Sequence, residues 1–187
     1  MIYISKGIAG KGSTTELVQV ARGGQEVHLS DKEAKLWLGG RFSFASANMP
    51  EEECALRHLI RMGLAEAEPE DTKDARYWIL ARCVCCPAKG AKRSFGLASG
   101  EKNLLFWLVH AGIRLSTAEL VYLREHKVEA DPGLLHPGNR QALVETIYTA
   151  GTIADNLLEN RMAAAGCRDS VVRDILSLLK KKKLLIL

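Results

Sequence analysis

Residues 50–86 carry the strongest local pattern of the chain, a helix that leads directly into two strands. Pro50 and the three glutamates after it suit the first turn of a helix, where the backbone dipole favours negative charge. Gly63 predicts a left-handed helix stop, and Leu64 to Glu68 then alternates apolar and charged residues. Residues 77–86 are rich in apolar, β-branched and aromatic side chains and predict a central strand. The stretch therefore predicts a helix followed by a β-hairpin.

The segments before residue 50 predict the other elements of a small domain. Short strands are predicted at 2–4 and 26–29, and helices at 14–22 and from Ser30, whose spacing to Glu33 is that of a capping box. The order over residues 10–86 is helix, strand, helix, helix, strand, strand. This order resembles that of winged-helix proteins, which serve mostly in DNA binding by transcription regulators and sometimes in protein contacts. The resemblance is one of element order and implies a winged-helix-like domain over residues 1–86.

The second half of the chain predicts a helical domain. Residues 87–100, rich in glycine, predict a hinge, and residues 101–187 predict the C-terminal domain. Its predicted elements are an apolar helix at 102–112, a capped helix from Ser116, one long helix at 139–165 that bends at Gly151, a last helix at 168–181 and a strand at 184–187. A helix followed at once by a strand also ends the first half, which favours a diverged second winged-helix unit. The predicted fold class is mainly α with small β-hairpins.

Charge and cysteine content place few limits on function. The net charge is +4, divided equally between residues 1–98 and 99–187, so neither half is a basic arm. Five cysteines without the spacing of a disulfide scaffold, and no apolar run long enough to cross a membrane, predict a cytoplasmic protein without a membrane partner.

Basic residues predict where DNA would be contacted. Residues 51–76, the recognition helix and wing of the predicted domain, contain eight acidic and four basic side chains, so this surface should repel a duplex. Basic residues concentrate instead in the hinge and near the C-terminus. The candidate nucleic-acid-binding residues are Lys89, Lys92, Arg93, Arg168, Arg173, Lys180, Lys181, Lys182 and Lys183. Lys180 to Lys183 lie at the end of a predicted helix, where positive charge also stabilises the helix dipole.

A glycine-rich loop at residues 6–15 gives a nucleotide-binding hypothesis. It precedes a predicted helix, where free N–H groups can cradle a phosphate, and its composition resembles the loop of ATPases of the ParA and nitrogenase iron-protein type. Lys11 and Ser13 would be the binding residues. Gly12 separates them, however, which breaks the order that places lysine on phosphate and a hydroxyl on Mg²⁺.

Cysteine and histidine patterns give little support to a metal site or an enzyme. Cys83, Cys85 and Cys86 are weak metal or redox candidates, because a structural zinc site takes four ligands, usually as two separated pairs. No two histidines have metal-ligand spacing, and no nucleophile lies in a recognisable motif. We therefore expect a protein without catalysis and without a cofactor.

The function expected from the sequence is a non-enzymatic regulatory protein, a DNA-binding transcriptional regulator that uses the hinge and C-terminal basic residues. The alternative is a protein-interaction adaptor whose acidic hairpin docks a partner, and the third is a nucleotide-binding protein. An apolar stripe over residues 143–157 suits intramolecular packing and also permits a homodimer.

Overall fold

The computed structural model describes residues 1–10, 13, 17–22, 24–91, 95–110, 114–128, 140–148 and 157–187. These ranges contain eight helices and three small antiparallel sheets, and half of the described residues are helical and one fifth lie in strands. The prediction of a mainly α fold is therefore wrong. The protein is a mixture of α and β structure.

Nine elements precede residue 82. In chain order they are β1 (Ile2–Ser5), β2 (Ile8–Ala9), β3 (Val18–Arg22), β4 (Gln25–Leu29), α1 (Asp31–Gly39), β5 (Ala45–Ser46), α2 (Pro50–Arg61), β6 (Ala65–Glu68) and α3 (Lys73–Ala81). The elements that follow are β7 (Val84–Pro87), α4 (Ser99–His110), β8 (Leu115–Ser116), α5 (Thr117–Glu125), α6 (Arg140–Ile147), α7 (Leu157–Ala163), α8 (Arg168–Lys180) and β9 (Leu184–Ile186).

The sheets have the strand orders β5-β1-β6, β2-β3-β4 and β8-β7-β9. In the first and third, the central strand is the one that comes first along the chain. Tyr3 in β1 lies opposite Ala45 and Ala67, and Cys85 in β7 lies opposite Leu115 and Ile186. Each central strand is thus flanked by a two-residue strand and by a strand that follows a helix.

The predicted hairpin at 64–86 is wrong. Strand β6 pairs with β1, and residues 73–81 form helix α3 in place of the strand predicted from residue 77. The helix begins at Thr72, whose Oγ1 accepts a hydrogen bond of 3.0 Å from the Ala75 N–H. Tyr77, Leu80 and Ala81 share one buried helix face. Because residues 73–81 are helical, the wing predicted over these residues is not formed by them.

The helix predicted at 14–22 is also wrong, because Val18–Arg22 forms strand β3 between β2 and β4. Val18 and Val20 are buried while Gln19 between them is only half-buried, which is the two-residue alternation of a strand. The long helix predicted at 139–165 is observed as α6 and α7, and Gly151 lies outside the described residues.

Helix α2 and its stop are confirmed. Gly63 has φ +68°, and the Leu64 N–H donates to the Leu59 carbonyl at 2.8 Å, the pattern of a Schellman stop. Helix α8 and strand β9 are confirmed as well. There Lys182 has φ +54° and the Lys183 N–H donates to the Leu178 carbonyl at 2.9 Å, so a lysine occupies the position that Gly63 has after α2.

Buried side chains form two clusters that meet at β1. Tyr3 belongs to a cluster with Trp37 of α1 and Leu56 of α2. Ile2 and Ile4 belong to the other cluster, which is built from α3, α4, α5, α8 and the third sheet. Successive side chains of a strand point to opposite faces, so β1 contributes to both. The domain division predicted at 87–100 stays a prediction. No helix in the described ranges has the length and apolarity to cross a membrane.

Candidate functional site

A groove of about 360 Å³ runs between α3 and α8. Its lining consists of Lys73, Arg76, Asp169, Val172, Arg173, Leu176, Ser177 and Lys180. Four of these side chains are cations and one is a carboxylate. The apolar side chains come from α8 alone.

Helix α8 directs one face toward the groove. Residues 169, 173, 176 and 180 recur at helical spacing on this face, whereas Ile175 and Leu178 on the other side are fully buried. In α3, Lys73 and Arg76 lie one turn apart, and Tyr77 beside them is buried. Because α3 packs on α8, the exposed residues of both helices face the same groove.

Two of the four groove cations carry a surface ion pair. The Arg76 guanidinium donates to both Asp71 oxygens, at 2.6 and 2.8 Å, and these hydrogen bonds hold the pKa of Asp71 below its ordinary range. The Lys73 Nζ lies 3.7 Å from Asp169 Oδ2, and both side chains are exposed enough to exchange this partner for another anion.

The other two groove cations are less engaged. The Arg173 side chain is 78 % exposed, and its Nε lies 4.0 Å from the nearest carboxylate oxygen, that of Asp174. Lys180 forms no ion pair with any residue in the described ranges, and its side chain is exposed. These two positions therefore have the most freedom to bind an anion.

An aromatic segment, residues 41–44, borders the groove and is called the aromatic loop below. The Arg76 Cζ lies 5.7 Å from the centre of the Phe44 ring, and the Lys182 Nζ lies 5.5 Å from the centre of the Phe42 ring. The Arg41 Cζ lies 4.9 Å from the Phe42 ring and 5.2 Å from the Trp37 ring. The aromatic loop thus connects α3 with the C-terminal end of α8 through cation–π contacts.

Arg41 is held in a poorly solvated position. Its Nε is buried and has no hydrogen-bond partner among the described residues. Burial also lowers the pKa of the Arg41 guanidinium. A cation in this position binds an incoming anion more favourably than a fully hydrated cation does, because folding has already removed part of its water.

The predicted basic residues lie in several different places. Arg173 and Lys180 line the groove, and Lys182 contacts the aromatic loop. Arg168 is 15 % exposed and bound to Asp74 and Asp169 at 2.6 and 2.9 Å, and Lys181 is bound to Glu101. Half-buried Lys183 follows α8, and Lys89 lines a separate cavity of about 650 Å³. Lys92 and Arg93 lie outside the described residues.

Sequence reasoning missed Lys73, Arg76 and Arg41. The first two were assigned to an acidic turn and hairpin, although Thr72 is a residue type preferred at helix N-caps and caps α3. Arg41 lies in an Arg-Phe-Ser-Phe segment, a combination of basic and aromatic residues that was interpreted only as a loop.

The acidic residues of the predicted wing have partners within the protein. Glu66 lies 2.8 Å from the Lys6 Nζ and 3.3 Å from the Arg82 Nε. Glu68 lies 2.5 Å from the Arg82 guanidinium. These two carboxylates are therefore each paired with a cation of the protein itself.

The clustered cysteines are packed in the core. Cys83 and Cys85 are buried, and burial raises the pKa of Cys83 to about 12 and raises the pKa of Cys85 as well. Thiols protonated at neutral pH are poor metal ligands. In the described ranges, no three His, Cys, Asp or Glu side chains are grouped closely enough to hold a metal ion.

The glycine-rich loop does not lead into a helix. Strand β3 follows it, so the helix start on which the phosphate-binding hypothesis depended is missing from residues 18–22. Ser13 Oγ donates to the Gln19 carbonyl at 2.9 Å and accepts from the Gln19 N–H at 3.0 Å, which fixes the serine within the β2–β3 connection. Lys11 lies outside the described residues.

Comparison with protein-family models, curated proteins and solved structures finds no match to this chain. The resemblance to winged-helix proteins therefore stays a prediction, and the case for a function rests on the groove and the aromatic loop.

Proposed function

We propose that the protein is a non-enzymatic nucleic-acid-binding protein that contacts phosphates through the groove between α3 and α8. The observation that supports this most directly is that Arg173 and Lys180 of α8 meet Lys73 and Arg76 of α3 along one groove. The four cations outnumber the single carboxylate of the lining. Phosphate contacts of this kind supply most of the sequence-independent affinity for nucleic acids.

The spacing of the cations suits a phosphate backbone. Arg173 and Lys180 are seven residues apart, roughly 10 Å along the axis of α8. Phosphates follow one another every ~3.4 Å of duplex axis on each strand. The groove can therefore contact more than one phosphate of the same strand. The exposed pairs to Asp71 and Asp169 are weak in water and can be replaced by phosphate.

Fluorescence anisotropy with a short labelled duplex of random sequence, across about 50 to 200 mM salt, tests the proposal. We expect binding that weakens steeply with salt. The double variant Arg173→Gln/Lys180→Gln should bind about tenfold more weakly at low salt, and its log–log salt slope should decrease by about 2, since two phosphate contacts are removed.

A matched control replaces two exposed cations outside the groove, Lys35→Gln/Arg57→Gln, which changes the net charge equally. This control should keep the salt slope of the unchanged protein. Absence of binding to both duplex and single-stranded probes at low salt would contradict the proposal, as would equal losses in the two double variants.

A second candidate is the binding of an acidic segment of another protein, and the apolar floor of the groove favours it. Val172 and Leu176 lie between the cations, which suits a peptide that carries both acidic and apolar side chains. Leu176→Ser separates the two candidates. It should weaken binding of such a peptide and leave binding of nucleic acid unchanged.

A further inference from the structure

The aromatic loop presents a phenylalanine ring, Phe42, which phosphate binding alone does not require. Phe42 is half-buried and is absent from both buried clusters, so it is not a core residue. Its ring is approached by two cations from different parts of the chain, Arg41 and Lys182. Both cations lie over the ring, and an aromatic side chain combined with cations is the arrangement that binds a nucleobase together with its flanking phosphates.

Lys182 reaches the ring from an unusual backbone conformation. It lies in the left-handed region at φ +54°, where glycine is the ordinary residue after a helix. A lysine there is strained, because its Cβ crowds the backbone in a way that glycine avoids. The conformation places its ammonium over Phe42, two residues beyond Lys180 of the groove.

We infer that the groove and the aromatic loop together bind single-stranded nucleic acid, with phosphates along α8 and an unstacked base against Phe42. This inference rests on the proposed function and specifies its ligand. In a duplex, base faces are covered by their neighbours, so a ring at the edge of a recessed groove can stack only on a base that has left the helix.

The placement of the cations suits one strand. The groove lies between helices α3 and α8, which are in contact. Its cations come from both sides, Lys73 and Arg76 from α3 and Arg173 and Lys180 from α8. A strand inserted between them contacts cations on both flanks, whereas a duplex laid across the rim contacts fewer.

The test compares labelled single-stranded and duplex probes of the same sequence by anisotropy at one low salt concentration. We expect tighter binding of the single strand. Phe42→Leu should weaken single-strand binding about tenfold, the effect of losing one stacked base, and leave duplex binding unchanged. Phe42→Tyr keeps the ring and should bind like the unchanged protein. Thermal unfolding of each variant checks its folding.

Two further variants separate stacking from charge. Lys182→Gln removes a cation next to the ring and should weaken single-strand and duplex binding to the same extent. Phe106→Leu, a change at an exposed phenylalanine of α4 outside the groove, should have no effect on either probe.

The possible failures are distinguishable. Equal affinity for both probes, or a folded Phe42→Tyr that loses as much binding as Phe42→Leu, overturns the single-strand inference and leaves phosphate binding by the groove in place. If neither probe binds at low salt, both the inference and the proposed function are overturned.

Discussion

The Lys181 ammonium lies 2.7 and 2.8 Å from the two carboxylate oxygens of Glu101, which is only 3 % exposed. Glu101 belongs to the first turn of α4, and Lys181 caps the C-terminal end of α8. The Glu101 carboxylate also accepts a hydrogen bond of 2.7 Å from the Ala98 N–H. One lysine of the basic run at 180–183 therefore joins two helices, although part of its side chain stays exposed.

Replacing this lysine should destabilise the protein. In Lys181→Gln, the Glu101 carboxylate stays buried but loses its cation, and we expect a loss of about 2 kcal/mol in the free energy of unfolding. Lys180→Gln, one residue away and exposed, should change it by less than about 0.5 kcal/mol. Urea unfolding of both variants at neutral pH measures the difference. Similar stabilities would show that the buried pair contributes nothing.

The Lys181–Glu101 pair should also make the free energy of unfolding depend on pH. Burial alone would raise the pKa of Glu101, but hydrogen bonds from Lys181, from Ser177 and from the Ala98 N–H outweigh burial and hold this pKa below its ordinary value. A lowered folded pKa stabilises the protein fully above the ordinary glutamate pKa of about 4.3, and this contribution is lost as the pH falls through the folded pKa.

Urea unfolding between about pH 7 and about pH 3 tests this dependence. The variant Glu101→Gln should be less stable than the unchanged protein at neutral pH, and the difference should shrink on acidification. A difference that stays constant across the range would exclude the contribution of Glu101.

Loss of a second buried ion pair, Arg124–Asp174, should lower the free energy of unfolding more than loss of the Lys181–Glu101 pair. Arg124 Nη1 donates to Asp174 Oδ2 at 2.8 Å, Arg124 Nη2 donates to the Gly100 carbonyl at 3.0 Å, and Asp174 is 8 % exposed. Arg124→Leu leaves a buried carboxylate without its cation and should cost about 3 kcal/mol. Arg173→Leu, which removes an exposed arginine near the same aspartate, is the control and should have little effect on urea unfolding.

Releasing a groove cation from its partner should strengthen binding of nucleic acid. Asp71→Asn removes the carboxylate that binds Arg76, and the freed guanidinium is then available to phosphate. Because an exposed ion pair is worth about 0.2–1 kcal/mol, we expect affinity to rise by about two- to fivefold in anisotropy titrations. Asp31→Asn, at an exposed position of α1, controls for the change in net charge. An equal gain in both variants would argue against a local effect.

Two lysines in left-handed conformations should separate stability from binding. Lys127 at φ +49° and Lys182 at φ +54° each follow a helix where glycine is better accommodated. Lys127→Gly and Lys182→Gly should each raise the melting temperature slightly or leave it unchanged. Only Lys182→Gly should weaken binding of nucleic acid, because only Lys182 reaches the aromatic loop. Equal binding by the two variants would exclude Lys182 from the site.

The cysteines should differ in their rates of alkylation. Cys54 is exposed, whereas Cys83 and Cys85 are buried with raised pKa values, and burial together with Glu125 raises the pKa of Cys167 to about 12. Brief treatment of the folded protein with iodoacetamide at mildly alkaline pH should modify Cys54 first, and denaturant should expose the rest. Mass spectrometry after proteolysis locates the adducts. Early modification of Cys83 would contradict the packing described.

Residues 77–81 show why the fold class could not be predicted from the sequence. A run that is apolar on all sides fits either a buried strand or a buried helix, and β-branched and aromatic content favoured the strand. The cap at Thr72 was the local signal for a helix. Elements with a clear start and stop, such as α2 with Gly63 and α5 with Ser116 and Glu119, were predicted correctly because their signals are local.

The groove was only partly predictable for a different reason. Arg173 and Lys180 were identified as candidates from the sequence, but their neighbours Lys73 and Arg76 come from α3, about a hundred residues earlier. Likewise, nothing in the basic run at 180–183 indicates that Lys181 is bound to Glu101 while Lys182 reaches Phe42. Such pairings depend on long-range packing, which periodicity and charge counts do not contain.

The central position of β7 affects how the chain can fold while it is being made. Cys85 lies between Leu115 and Ile186, so one edge of β7 stays unpaired until nearly the last residue of β9 has left the ribosome. Sheets that depend on such distant pairing form slowly, and an open strand edge invites pairing with other chains. The first sheet needs nothing beyond residue 68. Synthesis therefore exposes an apolar, cysteine-containing strand while the residues between β7 and β9 are being made, and this is when a chaperone would matter most.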